Sequence, residues 1–203
     1  MQIFSPPSLD DLIRLLKAWK FWVLGAILGA MIGAVVYFVA LPPFRARATV
    51  LVDFNLEEAW PAETDRQQFY YLEREARKLE EIAWSDGVIQ KLASEFALPV
   101  EDLRGGVLEL SQLAEGGWHF YAKNQNAKLA EQLASVWATA FAEQATAKIG
   151  AADGLNSFIE VTLTQSENLP LERSVPLSSY LFIGAIGFLA ISSILILFFR
   201  RPE

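Results

Sequence analysis

The sequence predicts an α+β domain held between two membrane-spanning helices, the domain being a small mixed sheet covered by helices. Two observations lead there. Residues 21–44 and 174–199 contain no charged side chain, and each run exceeds the ~20 apolar residues that cross a ~30 Å hydrocarbon core. Between the runs, hydrophobic periods of about 2 and 3.6 residues alternate along the chain, the marks of strands and helices. The 203-residue chain is 53% hydrophobic, with mean hydropathy +0.26. That excess sits in the two runs and leaves room for one modest domain.

Residues 1–20 read as a short cytoplasmic amphipathic helix. Its "SLDDLIRLLKAW" offers Ser8 as N-cap with Asp11 three residues on, a capping-box-like start. Residues 21–43 form the first span. The run is longer than the ~7–15-residue core of a cleaved signal, and bulky Phe38 stands two positions before the small Ala40, so a retained anchor is expected. Gly25, Gly29 and Gly33 recur every four residues on one helix face. Such a face lets helices approach closely in lipid.

The span ends in "ALPPFRARATVLVDF". Pro42 and Pro43 cannot donate helix hydrogen bonds, so Pro42, Pro43 and Phe44 are expected to form a membrane-exit hinge. Arg45 and Arg47 follow at the headgroup layer, where cationic stems snorkel. Ala46, Ala48, Val50 and Val52 then alternate with Arg45, Arg47, Thr49 and Leu51, which predicts a strand. That strand is expected to pair with the segment near Phe158 to Thr164.

The central domain spans residues 44–173. In "TDRQQFYYLEREARKLEEIAW", Phe69, Leu72, Ala76, Leu79 and Ala83 recur at helical spacing, and the charged remainder is expected to face solvent. Ser85 starts a second helix that Leu98-Pro99 closes. Residues 107–113 and 118–123 alternate around "AEGG" and predict a hairpin. Asn124 or Asn126 caps the next helix, whose buried face is Ala130, Leu133, Trp137, Ala140 and Phe141. "SFIEVTLTQ" is a final strand. Residues 174–199 form the second span, with Gly184, Gly187 and Ala190 on it, and residues 200–203 a short cytoplasmic tail.

Arg14, Lys17 and Lys20 precede the first span, and Arg200 and Arg201 follow the second. Positive flanks stay inside, so both termini are expected in the cytoplasm and the domain outside. The domain holds 12 Lys and Arg against 21 Asp and Glu, a net −9, which argues against a nucleic-acid partner. There is no cysteine, which excludes disulfides and thiol chemistry.

Nothing in the sequence points to an enzyme, a cofactor or a metal. The single histidine, His119, stands in a strand without a catalytic companion. Glu57-Glu58 and Glu80-Glu81 are adjacent and so point apart. Phosphate-loop and zinc motifs are missing. Trp60, Trp84, Trp118 and Trp137 are expected in core or interface before any sugar-stacking surface.

The layout resembles the polysaccharide co-polymerases, the Wzz-type chain-length determinants of bacterial surface polysaccharides. "DLIRLLKAWKFWVLG" leads into the first span, and "LPPFRARATVLV" is similar to the family's proline-plus-aromatic exit. "AWSDGVIQKLASEFAL" resembles the helix before its hairpin. "WHFYAKNQNAKLAEQLASVWATAF" resembles its strand followed by a helix. Phe44 stands where the family often has tyrosine, and no kinase domain or C-terminal tyrosine cluster accompanies these residues.

The resemblance implies a non-enzymatic protein of the bacterial inner membrane, with the domain periplasmic or extracellular. It would assemble side by side with itself in lipid and act with a polysaccharide polymerase on the length, assembly or export of a surface polysaccharide such as lipopolysaccharide. The alternatives are an accessory subunit of another membrane complex and an activator of a cytoplasmic tyrosine kinase.

Overall fold

The computed structural model describes residues 13, 16–59, 65–113, 116–152 and 154–199. Most of the predicted N-terminal helix, with Ser8 and Asp11, lies outside these residues, as do Trp60 and the tail. The chain forms two compact units. One consists of Met1–Pro42 with Val175–Glu203, the other of Pro43–Ser174.

The first unit contains the two apolar helices, α1 (Trp19–Val39) and α5 (Leu177–Phe199). Both are long and apolar enough to cross a membrane. α1 ends sooner than expected, three residues before Pro42. A residue that precedes proline is disfavoured in the helical region, so the helix stops ahead of Leu41 and Pro42. At the other end, α5 starts directly after Pro176.

The second unit is built on β1 (Phe44–Asp53), α2 (Asp65–Ala83), α3 (Asp86–Phe96), β2 (Leu108–Gln112), β3 (Trp118–Asn124), α4 (Ala127–Lys148), β4 (Glu160–Gln165) and β5 (Leu171–Arg173). The strand order is β2-β3-β1-β4, and β5 also pairs with β1. Every pairing between these strands is antiparallel, which corrects the expected mixed sheet. The reason is topological. α4 links β3 to β4, two strands that run the same way, but β1 lies between them. β3 likewise separates β1 from β2. The result is two interleaved split β-α-β units, the β-α-β-β-α-β arrangement.

The β1 alternation sets the layers. Ala46, Ala48, Val50 and Val52 are buried, and their outward neighbours are not. They sit opposite Ala122, Phe120 and Trp118 of β3, and opposite Leu163 and Val161 of β4 across a bulge at Thr49/Val50. β5 extends the ladder from Phe44↔Arg173 to Ala46↔Leu171. The β2–β3 hairpin turns through Gly117, at φ +105 and against the Val50 carbonyl. A side chain would be strained there and would strike β1.

The helices cover the inner face. All five expected positions of α4 are buried, and the Trp137 indole donates to the Ala83 carbonyl at 2.9 Å. Both candidate asparagines take part in the cap. Asn126 accepts from the Lys128 amide, and Asn124 accepts from the Asn126 amide. Ser85 sits at the N-cap of α3, but its hydroxyl turns to Gln144 instead.

The α2 stripe is split. Leu79 and Ala83 are buried, whereas Phe69 is 65% exposed. Its charged remainder, expected from sequence to face solvent, does not do so throughout. Glu75 is 1% exposed. Lys78 donates to it at 3.0 Å, Arg74 at 3.2 Å and the Asn156 amide at 3.2 Å. Lys78 also reaches the Gly154 carbonyl. A buried carboxylate is tolerated when paired and hydrogen-bonded, and this one ties α2 to the loop before β4.

Candidate functional site: the helix pair, the junction and the open sheet face

Gly25, Gly29 and Gly33 are the buried residues of α1, and α5 covers them. Gly25 lies against Ser192, Gly29 against Gly184 and Phe188, and Gly33 against Tyr180. The positions ascend on one helix and descend on the other, so the two run antiparallel. A methyl group at Gly29 would meet the Gly184 carbonyl and come within 2.7 Å of Phe188 Cβ. Tyr37 and Tyr180 close one end edge to face, with centroids 5.4 Å apart. The face that the sequence links to helix packing is thus taken by the chain's own second apolar helix. Gly187 has no neighbour within 4 Å of where a Cβ would stand. The large side chains of both helices, such as Met31, Phe38, Phe182 and Ile183, point outward.

The expected hinge residues divide between the units, the boundary falling after Pro42. Pro43 gives its carbonyl to the Ser174 amide at 2.9 Å. Next to it, Phe44 pairs with Arg173, whose guanidinium sits 3.6 Å over the phenyl ring. The two ends of the domain are therefore zipped together.

Among the described residues, the outer face of the sheet has no helix on it. Arg45, Arg47 and Thr49 of β1 lie opposite Lys123, Tyr121 and His119 of β3. Lys123 donates to Glu109 of β2 at 2.9 Å, and this bond, with the nearby Lys123 and Arg45 charges, holds the carboxylate below its usual range. The Thr49 hydroxyl and His119 Nδ1 are 3.0 Å apart. Burial, and then the Arg47 charge, push the imidazole below its ordinary value.

The other sequence candidates separate. Glu57 and Glu58 are exposed, as are Glu80 and Glu81. Trp137 and Trp118 are buried, and the Trp84 ring meets Trp137 at a 59° tilt with centroids 5.0 Å apart. Trp118 floors a groove of about 410 Å³ with Phe69, Leu72, Ala76 and Gln112. Among the described residues no cluster of three or more His, Asp or Glu is placed to hold a metal ion. Sequence reasoning misses buried Glu75 and the grouping on the open face. The signal for that face is the alternation itself: Arg45, Arg47 and Thr49 fall on one side of β1.

No protein-family model matches this chain, and no curated protein sequence matches it significantly.

Proposed function

We propose that this chain is a non-enzymatic membrane protein that assembles with copies of itself and regulates the length, assembly or export of a bacterial surface polysaccharide. Its two apolar helices span the inner membrane, both termini face the cytoplasm, and the α+β domain stands outside. The observation that carries this reading is the zipped junction. The strand that follows the first apolar helix is paired with the strand that precedes the second, through Pro43–Ser174 and Phe44↔Arg173. A domain so tied is anchored at one place by both of its ends, the layout that the resemblance to the polysaccharide co-polymerases implies.

The helix pair supports the membrane part. Its large apolar side chains face outward, an arrangement suited to lipid rather than water. Deleting the gene and resolving the surface polysaccharide on a gel tests the function. A changed length distribution is expected, restored by the full chain. An unchanged ladder contradicts it.

A second reading, an accessory subunit of another membrane complex, draws on the exposed Phe69 and Tyr70 at the start of α2. Co-purification at fixed stoichiometry with a complex unrelated to polysaccharide would favour it.

A further inference from the structure

Around Arg47 the open sheet face holds three cations, Arg45, Arg47 and Lys123, against Glu109 and Glu172, while Asp53 and its register partner Glu160 stand six residues farther along β1. Arg45 is engaged, its guanidinium 3.7 Å over the Tyr121 ring and 3.8 Å from Glu109. Lys123 shares that same carboxylate. Arg47 is different. No carboxylate pairs with it among the described residues, and its Nε is buried without an acceptor, as is that of Arg45. Glu172, opposite Arg45 on β5, is exposed and likewise makes no ion pair among the described residues. A buried N–H without an acceptor is costly, the more so on a charged group. Beside Arg47, Tyr121 is opposite it in register, and His119 lies between the Thr49 hydroxyl and the Tyr121 ring.

We propose that Arg47, with Arg45 and Lys123 beside it, forms a binding site for a phosphate group on the open face of the sheet. A planar guanidinium fork takes two phosphate oxygens at once, and a neighbouring ammonium adds charge without a geometric demand. The source is either a soluble phosphate compound or a lipid headgroup. Arg47 stands eight residues past Val39, the last residue of α1, so the extended chain separates them by at most about 28 Å. The proposal does not depend on the polysaccharide reading.

His119, the only histidine of the chain, reports on the site. Its proton affinity is depressed in part by the Arg47 charge, so an anion bound to Arg47 raises its titration midpoint. The experiment is an NMR titration of the imidazole in the full chain, labelled at histidine and held in maltoside micelles. One arm compares sodium phosphate with sodium chloride at equal ionic strength. The other compares added phosphatidylglycerol with diacylglycerol. The expected result is a saturable rise in the midpoint with phosphate, with phosphatidylglycerol or with both, and none with chloride or diacylglycerol. A response to phosphate alone assigns a soluble ligand, and a response to phosphatidylglycerol alone assigns a headgroup.

In Arg47→Gln the midpoint is raised from the start and no longer responds. Arg47→Lys keeps the charge but not the fork. It retains the chloride midpoint, which shows an intact face, and loses most of the response. Equal midpoints in all four solutions, or a response that survives in Arg47→Lys undiminished, would overturn the proposal.

Discussion

The two units of this molecule bury opposite kinds of residue. In the helix pair the smallest side chains are inside: Gly25, Gly29 and Gly33 are buried while Phe38 is 66% exposed. In the domain the largest are inside, and Trp137, Phe120 and Phe141 have no exposed surface. The difference teaches which force holds each unit. The domain gains by removing apolar area from water. The pair gains by close backbone approach, which needs glycine and works where the surroundings are as apolar as the side chains.

Five substitutions sharpen or break that comparison. Trp137→Ala removes the centre of the domain core and the hydrogen bond to Ala83. It should cost about 3–5 kcal/mol, read by chemical unfolding of the full chain in maltoside micelles. Gly29→Leu drives a side chain into the backbone of Gly184. Overpacking of this kind costs about 1–3 kcal/mol or more, whereas Gly187→Leu, at the open position, should leave the pair unchanged. Unfolding in mixed SDS micelles compares them, and equal effects would break the account of the pair.

Glu75→Ala leaves the Asn156 amide without its acceptor and Lys78 with the Gly154 carbonyl alone. Because both cationic partners are partly exposed, water compensates in part, and a loss of about 1–3 kcal/mol is expected. The loop before β4 should then exchange its amide hydrogens faster. Ala97 closes α3 at φ +51, a conformation that costs a non-glycine residue about 1–2 kcal/mol. Ala97→Gly should raise the domain's stability by about 1 kcal/mol or less, since glycine loses more freedom on folding.

The smallest effect is that of pH. Burial and the Arg47 charge lower the His119 pKa in the folded chain, so the unfolded chain takes up the proton first as the pH falls. Stability is full above the ordinary histidine value of about 6.5 and declines as the pH drops from there toward the folded value. Glu109, lowered chiefly by its Lys123 hydrogen bond, acts in the same sense in the carboxylate range. Its contribution is present above the unfolded value and is lost as the pH falls through the folded one. Melting curves between pH 7.5 and 5, taken on the parent and on His119→Gln, separate the two, and the histidine part of the slope should vanish in the variant.

Local periodicity made much of the fold legible. The β1 alternation, the α4 stripe and the glycine spacing of α1 each declare one face of one element. What escaped depends on pairing between distant segments. The antiparallel sheet follows from β1 lying between β3 and β4, which no local pattern states. β5 is only "LER", too short and too polar to alternate. Glu75 sits in a run of charges with nothing to mark it as the buried one. The spacing that singles out Gly25, Gly29 and Gly33 does not tell that α5 would meet them, nor that Gly184 is used there and Gly187 is not. The alternation that puts Arg45 and Arg47 on one face of β1 does not tell that Lys123 and Tyr121 of β3 and Glu172 of β5 lie opposite them.

The central claim is that the pair with its glycines inside and its large side chains outside is embedded in a membrane, with the domain beyond it. The chain has no cysteine, so single cysteines can be placed at Met31, outward on α1, and at Ser94, exposed on α3. Labelling with a membrane-impermeant maleimide in intact spheroplasts tests the claim directly. Ser94→Cys should react at once, and Met31→Cys should react only after the membrane is dissolved and the chain unfolded. Ready labelling of Met31→Cys in the intact membrane, or protection of Ser94→Cys until lysis, would contradict it.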